Sequence, residues 1–583
     1  MRRSIFSGGL VAVTILSGAA CTNVVGGITN PGSGGGGDAP LGPVPQVQNV
    51  DLVLVVDNSA SMADKQAVLS KSIHRLLDGL VNPPCVDGAA HVQHVAGPLD
   101  ACPTGYHREF NPIQSVHLGI VSSSLGSLGA EQCQVDAAHQ NNDHGHLVSR
   151  GPSGDLPTYL NYGFLNFDPP NLVGGETNFD SFIASAVDMV QGVGQVGCGY
   201  EMPLEAAYRF LVDPAPYAEI QHDDPNNPYS PTSLVGVDTT LLEQRANFLR
   251  ADSLVGVVML TDENDCSFKT GEQWYTLMNS SGFFKPTSIC ETDPSSTCCH
   301  SCALEGDPSC GMDSACDGTP KYNTQAGEDS VNLRCFHQKQ KYGIDALFPT
   351  SRYVNAFTRA KIAPSADDLV PDTEHAGVDN PLFSSGRDPR LFVFAGIVGV
   401  PWQLIAVDPS DASKGSLTAE QLEAQGKWDQ IVGDPANYVP PSHPNMIESI
   451  EKRPGVDPTS NGGDRTIDFL APDDLQYACI FPLPTPLPNG PNCGAKSAPD
   501  SPLCDPAMHS TQVAAAAYPG LRELAVMRDL GDKAVVGSVC EPSTTIEEEV
   551  DEPNAATFGY NRTMTAMGNR IATLLVQGTP SQK

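Results

Sequence analysis

The segment DLVLVVDNSASM, residues 51–62, ends an apolar run with oxygen-bearing side chains at alternate positions. Asp57, Ser59 and Ser61 follow the run directly. In a tight loop, a carboxylate and two hydroxyls at this spacing can turn toward one point. Such ligands suit a hard cation, Mg2+, Mn2+ or Ca2+, with waters completing its coordination shell. The segment therefore predicts a divalent-cation site, and the alternative is a strand that runs into a polar turn.

A second acid follows another apolar run. The segment LVGVVMLTDENDCS, residues 254–267, places Asp262 directly after Thr261. Ligand sites of open α/β sheets lie outside the carboxyl ends of the strands, so two buried parallel strands would bring Asp57 and Asp262 to the same edge. The segment DPSST at 293–297 has nearly the same spacing as residues 57–61, but no strand precedes it.

The two segments together resemble the von Willebrand factor A (vWA) family. Its metal-ion-dependent adhesion site combines D-x-S-x-S after the first strand, a Thr before a later helix and an Asp after the fourth strand. Asp57, Ser59 and Ser61 correspond to the first of these three elements, and Asp262 corresponds to the third. The resemblance implies a doubly wound, mainly parallel α/β sheet, Rossmann-like, with a metal ion at its upper edge.

The Thr element departs from the family pattern. By chain order it should lie within GQVGCGYEMPLEAAYRFL, residues 194–211, where Glu201 holds the position. Thr177 in GGETN is the alternative, although it precedes a different helix. A Glu in place of Thr would neutralise more of the metal's charge. We therefore expect the chain to hold its cation more tightly, and to attract a partner's carboxylate less, than a typical adhesion domain.

A narrower resemblance extends over most of the chain after residue 50. It is to large, uncharacterised A-domain lipoproteins of myxobacteria and related bacteria, and it implies no known activity. The segments that carry it are VDNSASM, NNDHGHLV, GCGYEMPLEA, LTDENDCS, PNMIESIEKRPG and AYPGLRELA.

Strand-like and helix-like segments alternate along the chain, which predicts an α/β sheet covered on both sides. The predicted strands are 51–56, 115–123, 254–260, 390–400 and 533–539. The predicted helices are 62–80, 178–191, 203–211, 518–531 and 561–575. Stretches at about 81–114, 266–350 and 401–512 are rich in Pro, Gly, Asp and Cys, and we interpret them as long disulfide-rich insertions.

The chain has 17 cysteines. Without Cys21 they fall into three even groups: four from Cys85 to Cys198, eight from Cys266 to Cys335, and four from Cys479 to Cys540. Disulfides within each group are expected in an oxidising compartment, with connectivity left open. Zinc binding at CCHSC, residues 298–302, is the alternative for the middle group.

The N-terminus resembles a bacterial lipoprotein precursor. Residues 1–21 form a signal peptide with a lipobox-like end, LSGAAC, and lipidation of Cys21 is the expectation. Ordinary cleavage that leaves Cys21 free or paired is the alternative. Residues 22–49 form a Gly/Pro-rich flexible tether, and 50–583 form the vWA-like domain. The protein is then an outer-membrane or cell-surface lipoprotein, or otherwise secreted, and contacts membrane only through the lipid.

A net charge of −35 disfavours nucleic acid as a partner, since that binding needs a positive surface. There is no H-E-x-x-H, G-x-S-x-G or Gly-rich phosphate loop. We therefore expect a cell-envelope-anchored, non-enzymatic module that binds an unidentified protein or glycan through its cation, in adhesion or assembly. The alternatives are a secreted hydrolase built from the insertions and a vWA fold whose metal is purely structural.

Overall fold

The computed structural model covers the folded part of the chain in ranges with short gaps. The described residues are 45, 47–89, 91–97, 99–130, 133, 142–227, 230–279, 283–317, 322–323, 329–363, 377–468, 473–494, 497–544 and 556–577. The predicted signal peptide, Cys21 and all but the last residues of the predicted tether lie outside this part of the chain.

The centre of the fold is a six-stranded sheet. Its strands are β1 (Asn49–Val56), β2 (Ser115–Ser122), β3 (Leu165–Phe167), β4 (Ser253–Leu260), β5 (Phe392–Val398) and β6 (Ala534–Ser538). Their order is β6-β5-β4-β1-β2-β3, and only the β2–β3 pair is antiparallel. Every residue of β2, β4 and β5 is buried, which explains their runs of apolar residues. The prediction of a mainly parallel α/β sheet is confirmed.

Among the described residues, seven longer helices pack in two groups. They are α1 (Ala63–Val81), α2 (Phe179–Gly192), α3 (Pro203–Leu211), α4 (Thr239–Phe248), α5 (Thr350–Thr358), α6 (Leu521–Leu530) and α7 (Asn561–Gln577). Helix α1 packs against α2 and α7, whereas α5 packs against α3 and α6.

The pleat of the sheet places α6 and α7 on opposite faces. A Cβ added to Gly256 of β4 would lie 2.8 Å from Met567 of α7, and one added to Gly396 of β5 would lie 2.6 Å from Met527 of α6. Gly396 pairs with Met259, three residues beyond Gly256. Since side chains alternate along a strand, the two glycines face opposite sides. Helices therefore cover both faces of the sheet.

Shorter strands, helices and 3-10 turns lie outside the central sheet and the seven longer helices. Three short strands form a small sheet: Cys85–Val86, Val92–Gln93 and His107–Arg108. Other short strands form two-stranded antiparallel sheets, which are Arg150–Gly151 with Gly154–Asp155, Glu219–His222 with Thr232–Val235, Phe283–Phe284 with Tyr322–Asn323, and Lys361–Ile362 with Val378–Asp379. A longer antiparallel pair, Cys479–Pro488 with Thr511–Ala517, is called the ribbon below. Short helices are Gln338–Tyr342, Trp402–Ile405, Ala419–Ala424, Trp428–Ile431 and Pro458–Asn461. Single 3-10 turns are Tyr159–Asn161, Trp274–Met278, Ser288–Glu291, Val331–Leu333, Ala412–Lys414, Pro435–Asn437, Pro444–Met446 and Gly531–Lys533.

Disulfides join sixteen cysteines within the three predicted groups. The pairs are 85–102, 133–198, 266–335, 290–299, 298–310, 302–316, 479–540 and 493–504. The prediction of disulfides within groups is therefore confirmed. The cysteines of CCHSC belong to three of these pairs, so the thiolates that a zinc ion would need are used in disulfides.

This number of disulfides is typical of an extracytoplasmic compartment. Three of the bridges close loops of more than sixty residues, which join distant parts of the chain. In the described part of the chain, no helix combines the length and apolar character that crossing a membrane requires.

Candidate metal centre

Strands β1 and β4 bring the two predicted acids to one edge of the sheet. The strands are parallel neighbours, and Val56 lies opposite Leu260 at their carboxyl ends. The backbone N–H of Asp57 continues this ladder with a 3.0 Å hydrogen bond to the carbonyl of Leu260. Asp57 and Asp262 therefore leave adjacent strand ends, and α1 begins only at Ala63. The intervening loop is free to turn its side chains toward the edge.

Four residues of the predicted site form one hydrogen-bonded chain: Asp57, Ser59, Ser61 and Asp262. The backbone N–H of Ser59 donates to Asp57 Oδ1 at 2.8 Å. The hydroxyls of Ser59 and Ser61 share a hydrogen bond of 3.0 Å, and Ser61 Oγ donates to Asp262 Oδ1 at 3.0 Å. Thr261, which sequence reasoning did not assign as a site residue, donates its hydroxyl to Asp57 Oδ2 at 2.8 Å. Five polar residues thus converge at the ends of two strands.

Two buried carboxylates lie close together in this cluster. The side chains of Asp57 and Asp262 belong to residues only 0% and 1% exposed, and Ser61 is partly exposed. Burial and then the charge of Asp262 raise the pKa of Asp57 to about 6, against hydrogen bonds from Ser59 and Thr261 that lower it. A cation between the two carboxylates would offset this repulsion.

Glu201 lies beside the cluster, and Thr177 does not. Glu201 is 3% exposed and precedes α3. Its carbonyl accepts a 2.8 Å hydrogen bond from the backbone of Cys266, in the loop after β4. Burial, followed by the charges of Glu263 and Asp57, raises its pKa well above the ordinary value. Thr177 is exposed, next to the N-cap of α2.

Neighbouring loops fix the conformation of the loop at 57–62. Ser124 Oγ, just after β2, donates to Asn58 Oδ1 at 2.8 Å. The backbone N–H of Gly197 donates to the carbonyl of Asn58 at 2.9 Å. Gln66 Nε2 bonds the carbonyls of Asp57 and Gly194, each at 2.9 Å. The segment at 194–202, which leads into α3, is therefore tied to the cluster from two sides.

Lys65 occupies the Asp262 side of the cluster, and sequence reasoning missed it. Its Nζ lies 2.8 Å from Asp262 Oδ2, 2.8 Å from the carbonyl of Ser61 and 3.4 Å from Asp64 Oδ1. Burial would lower the pKa of Lys65, but Asp262 and Asp64 outweigh it, so that this pKa is raised. The available signal was its place in the first turn of α1, since helical side chains lean back toward the N-terminus.

The ribbon and the segment after it cover the site. Phe481 of the ribbon faces Lys65, with Nζ 5.7 Å from the ring centroid. The backbone N–H of Tyr518 donates to the carbonyl of Asp262 at 2.8 Å. Phe481 belongs to a predicted insertion and Tyr518 to its continuation, so contacts between residues more than 250 positions apart in the chain cover the site.

A cavity of about 60 Å3 adjoins the cluster. Glu201 and Glu263 line it from the sheet edge, whereas Glu448 and Asp474 line it from the insertion. Burial raises the pKa of Glu448 to about 7, against a hydrogen bond from Asn264. Carboxylates from three separate segments therefore line one small cavity.

The donor chemistry fits a hard cation. Within the described ranges, no three Asp, Glu, His or Cys side chains form a group that could hold a metal by themselves. The cluster instead offers two carboxylates and the hydroxyls of Ser59 and Ser61, all oxygen ligands, to which waters would have to be added. Asp57, Ser59, Ser61 and Asp262 would hold such an ion.

Other sequence candidates lead elsewhere. His146, in the segment NNDHGHLV, pairs its Nε2 with Asp238 Oδ2 at 2.7 Å. A second cavity, of about 210 Å3, has Trp402, Ser460 and Glu541 in its wall. A third, also of about 210 Å3, has Lys452 and Arg465. None of these three cavities of the described residues has a histidine in its lining, so none contains a Ser-His-Asp arrangement.

Comparisons with protein-family models, with curated proteins and with solved structures find no match for this chain. The cluster's interpretation therefore depends on its own geometry. That geometry unites the residues that carry the vWA resemblance, adds Thr261 and Lys65 to them, and places Glu201 rather than Thr177 alongside.

Proposed function

We propose that the protein is an extracytoplasmic vWA-like module that binds a divalent cation and engages a protein or glycan ligand through it. The observation that carries the proposal is the hydrogen-bonded chain from Asp57 through Ser59 and Ser61 to Asp262. The strand order, which is that of doubly wound sheets, supports it. Anchoring to the cell envelope through lipidated Cys21 is part of the same proposal.

The cluster's residues have distinct parts in this function. Thr261 and the backbone of Ser59 fix the two carboxylate oxygens of Asp57, so that Asp57 is oriented before any ligand arrives. Ser61 is the partly exposed member, and a ligand would approach on its side. When bound, the cation would supply an electrophilic centre for a ligand oxygen. Glu201, buried nearby, adds negative charge that favours retention of the cation over attraction of an acidic ligand.

A structural cation is the second candidate, and a specific observation favours it. The ribbon's Phe481 lies over Lys65, and the backbone of Tyr518 bonds the carbonyl of Asp262, so the ribbon and the segment after it cover the Asp262 side of the cluster. In this version the cation ties the ends of β1 and β4 to the insertion, and no ligand reaches it. Both candidates need the same cation ligands and differ only in access.

Calorimetric titration with Mn2+ tests the shared claim. We expect one saturable site in the wild type, lost in Asp57→Ala and retained in Asp180→Ala, which removes an exposed carboxylate from the first turn of α2. Equal binding by all three proteins would contradict the proposal.

Pull-down from cell-surface extracts then separates the two candidates. Ligand engagement predicts that wild type recovers a partner in Mn2+ and not in chelator, and that Asp57→Ala recovers none. Equal recoveries by both proteins, in a sample where calorimetry detects the site, would leave only the structural cation.

A further inference from the structure

In the described part of the chain, Lys65 is the basic side chain that pairs with a carboxylate of the cluster, and several groups hold it in place. The residue is 2% exposed. Its ammonium is held by Asp262 Oδ2 and the carbonyl of Ser61, both at 2.8 Å, which are two groups of the candidate metal centre itself. The centroid of the Phe481 ring lies 5.7 Å from the ammonium. A free surface lysine would have none of these constraints.

A buried cation in this place competes with a metal ion. Asp262 has two carboxylate oxygens, of which Ser61 holds one and Lys65 the other. A divalent ion on Asp262 beside the lysine would suffer repulsion between like charges at low effective dielectric. Removal of the lysine without a replacement would instead leave Asp262 as a buried and unpaired charge, which is strongly destabilising.

We propose that Lys65 is a built-in counter-cation, which holds Asp262 when no divalent cation is bound and must be displaced for one to bind. This inference rests on the proposed cation site. Asp64, whose Oδ1 lies 3.4 Å from Lys65 Nζ, offers the displaced ammonium a second partner within the same turn of α1. Binding is then an exchange of one cation for another, so the fold keeps its charge balance whether or not a metal is present.

The exchange predicts that removing the lysine's charge strengthens metal binding. Lys65→Met keeps a long apolar side chain and removes the ammonium, so we expect its Mn2+ affinity in calorimetry to rise by about tenfold, or about 1.4 kcal/mol. Lys65→Arg keeps a positive charge and should retain the weaker, wild-type affinity. Lys71→Met is the matched control, since Lys71 is exposed on the same helix, and should change nothing.

The outcomes separate this inference from the proposed function. If Lys65→Met binds Mn2+ no more tightly than wild type, while Asp57→Ala abolishes binding, the exchange is wrong and the cation site stands. If neither wild type nor Lys65→Met has binding that depends on Asp57, the cation site itself is wrong.

A measurement on the wild-type protein covers the case in which Lys65→Met fails to fold. Reductive dimethylation followed by mass spectrometry reports the accessibility of each lysine. Lys65 should react slowly without metal, because it is buried and paired, and faster in saturating Mn2+, with Lys71 as the internal reference. Equal protection of Lys65 in both conditions would overturn the exchange.

Discussion

The amino end of the sheet carries a buried histidine that should make the fold sensitive to acid. His117 of β2 is 5% exposed and lies opposite Asp51 of β1. Its Nδ1 bonds the carbonyl of Phe248 at 2.8 Å, and its ring packs 4.5 Å from that of Phe164, centroid to centroid. Burial, then the charge of Arg250, lowers the pKa of His117 to about 4, although Asp51 opposes the shift.

The sign and size of the effect follow from proton linkage. An unfolded histidine has a pKa near 6.5, so between pH 6.5 and 4 the unfolded chain binds a proton that the folded state refuses. The stabilisation is therefore fully present above about pH 6.5 and is lost as the pH falls toward 4. The pKa differs by roughly 2.5 between the two states, and each unit corresponds to about 1.36 kcal/mol. The contribution of His117 to the free energy of unfolding should therefore fall by about 3 kcal/mol between pH 7 and pH 4.

Urea unfolding of wild type and His117→Gln, at pH 7 and pH 4, measures this contribution. Other groups titrate in both proteins, so the quantity of interest is the difference between their two pH dependences. Between pH 7 and pH 4, the free energy of unfolding of the wild type should fall by about 3 kcal/mol more than that of His117→Gln. His509→Gln removes an exposed histidine and should match the wild type. Parallel losses by wild type and His117→Gln would refute the reasoning.

Three further changes test the site and its cover. Glu201→Thr should weaken Mn2+ binding by about tenfold in calorimetry, and an unchanged affinity would show that Glu201 has no part in retention. Replacing both Cys133 and Cys198 by serine removes a disulfide that joins residues 65 positions apart. The free energy of unfolding in urea titration should then fall by up to about 4 kcal/mol, and a fall of less than about 1 kcal/mol would contradict this. Gly399→Ala would put a Cβ 1.6 Å from the carbonyl oxygen of Tyr518, so the segment that covers the site would have to move. The free energy of unfolding should fall by about 1–3 kcal/mol, and unchanged thermal stability would show that the two backbones are not in close contact.

The sequence was sufficient to predict the parts of the site that follow long apolar strands. Asp57 and Asp262 could be placed because β1 and β4 are unbroken buried runs whose ends are easily located. Strand β3 was missed because it has only three residues, too few for any periodicity. The cysteines could be grouped by spacing, but their connectivity depends on loop paths that no local pattern records.

Lys65 and the cover were beyond sequence reasoning for a different reason. Lys65 lies in a helix that reads as amphipathic, where a lysine is expected on the solvated face. Its burial results from Asp262 and Phe481, which are distant in sequence. Thr261 likewise reads as the end of a strand, and only the pairing of β1 with β4 turns its hydroxyl into a hydrogen-bond donor for Asp57. Tertiary contacts, rather than local propensity, decide these roles.

Anomalous diffraction from crystals grown with Mn2+ would locate the cation itself. We expect one anomalous peak among the oxygens of Asp57, Ser59, Ser61 and Asp262, with the Lys65 ammonium moved away from Asp262. Saturating Mn2+ that gives no peak at this cluster, with Lys65 still paired to Asp262, would contradict this.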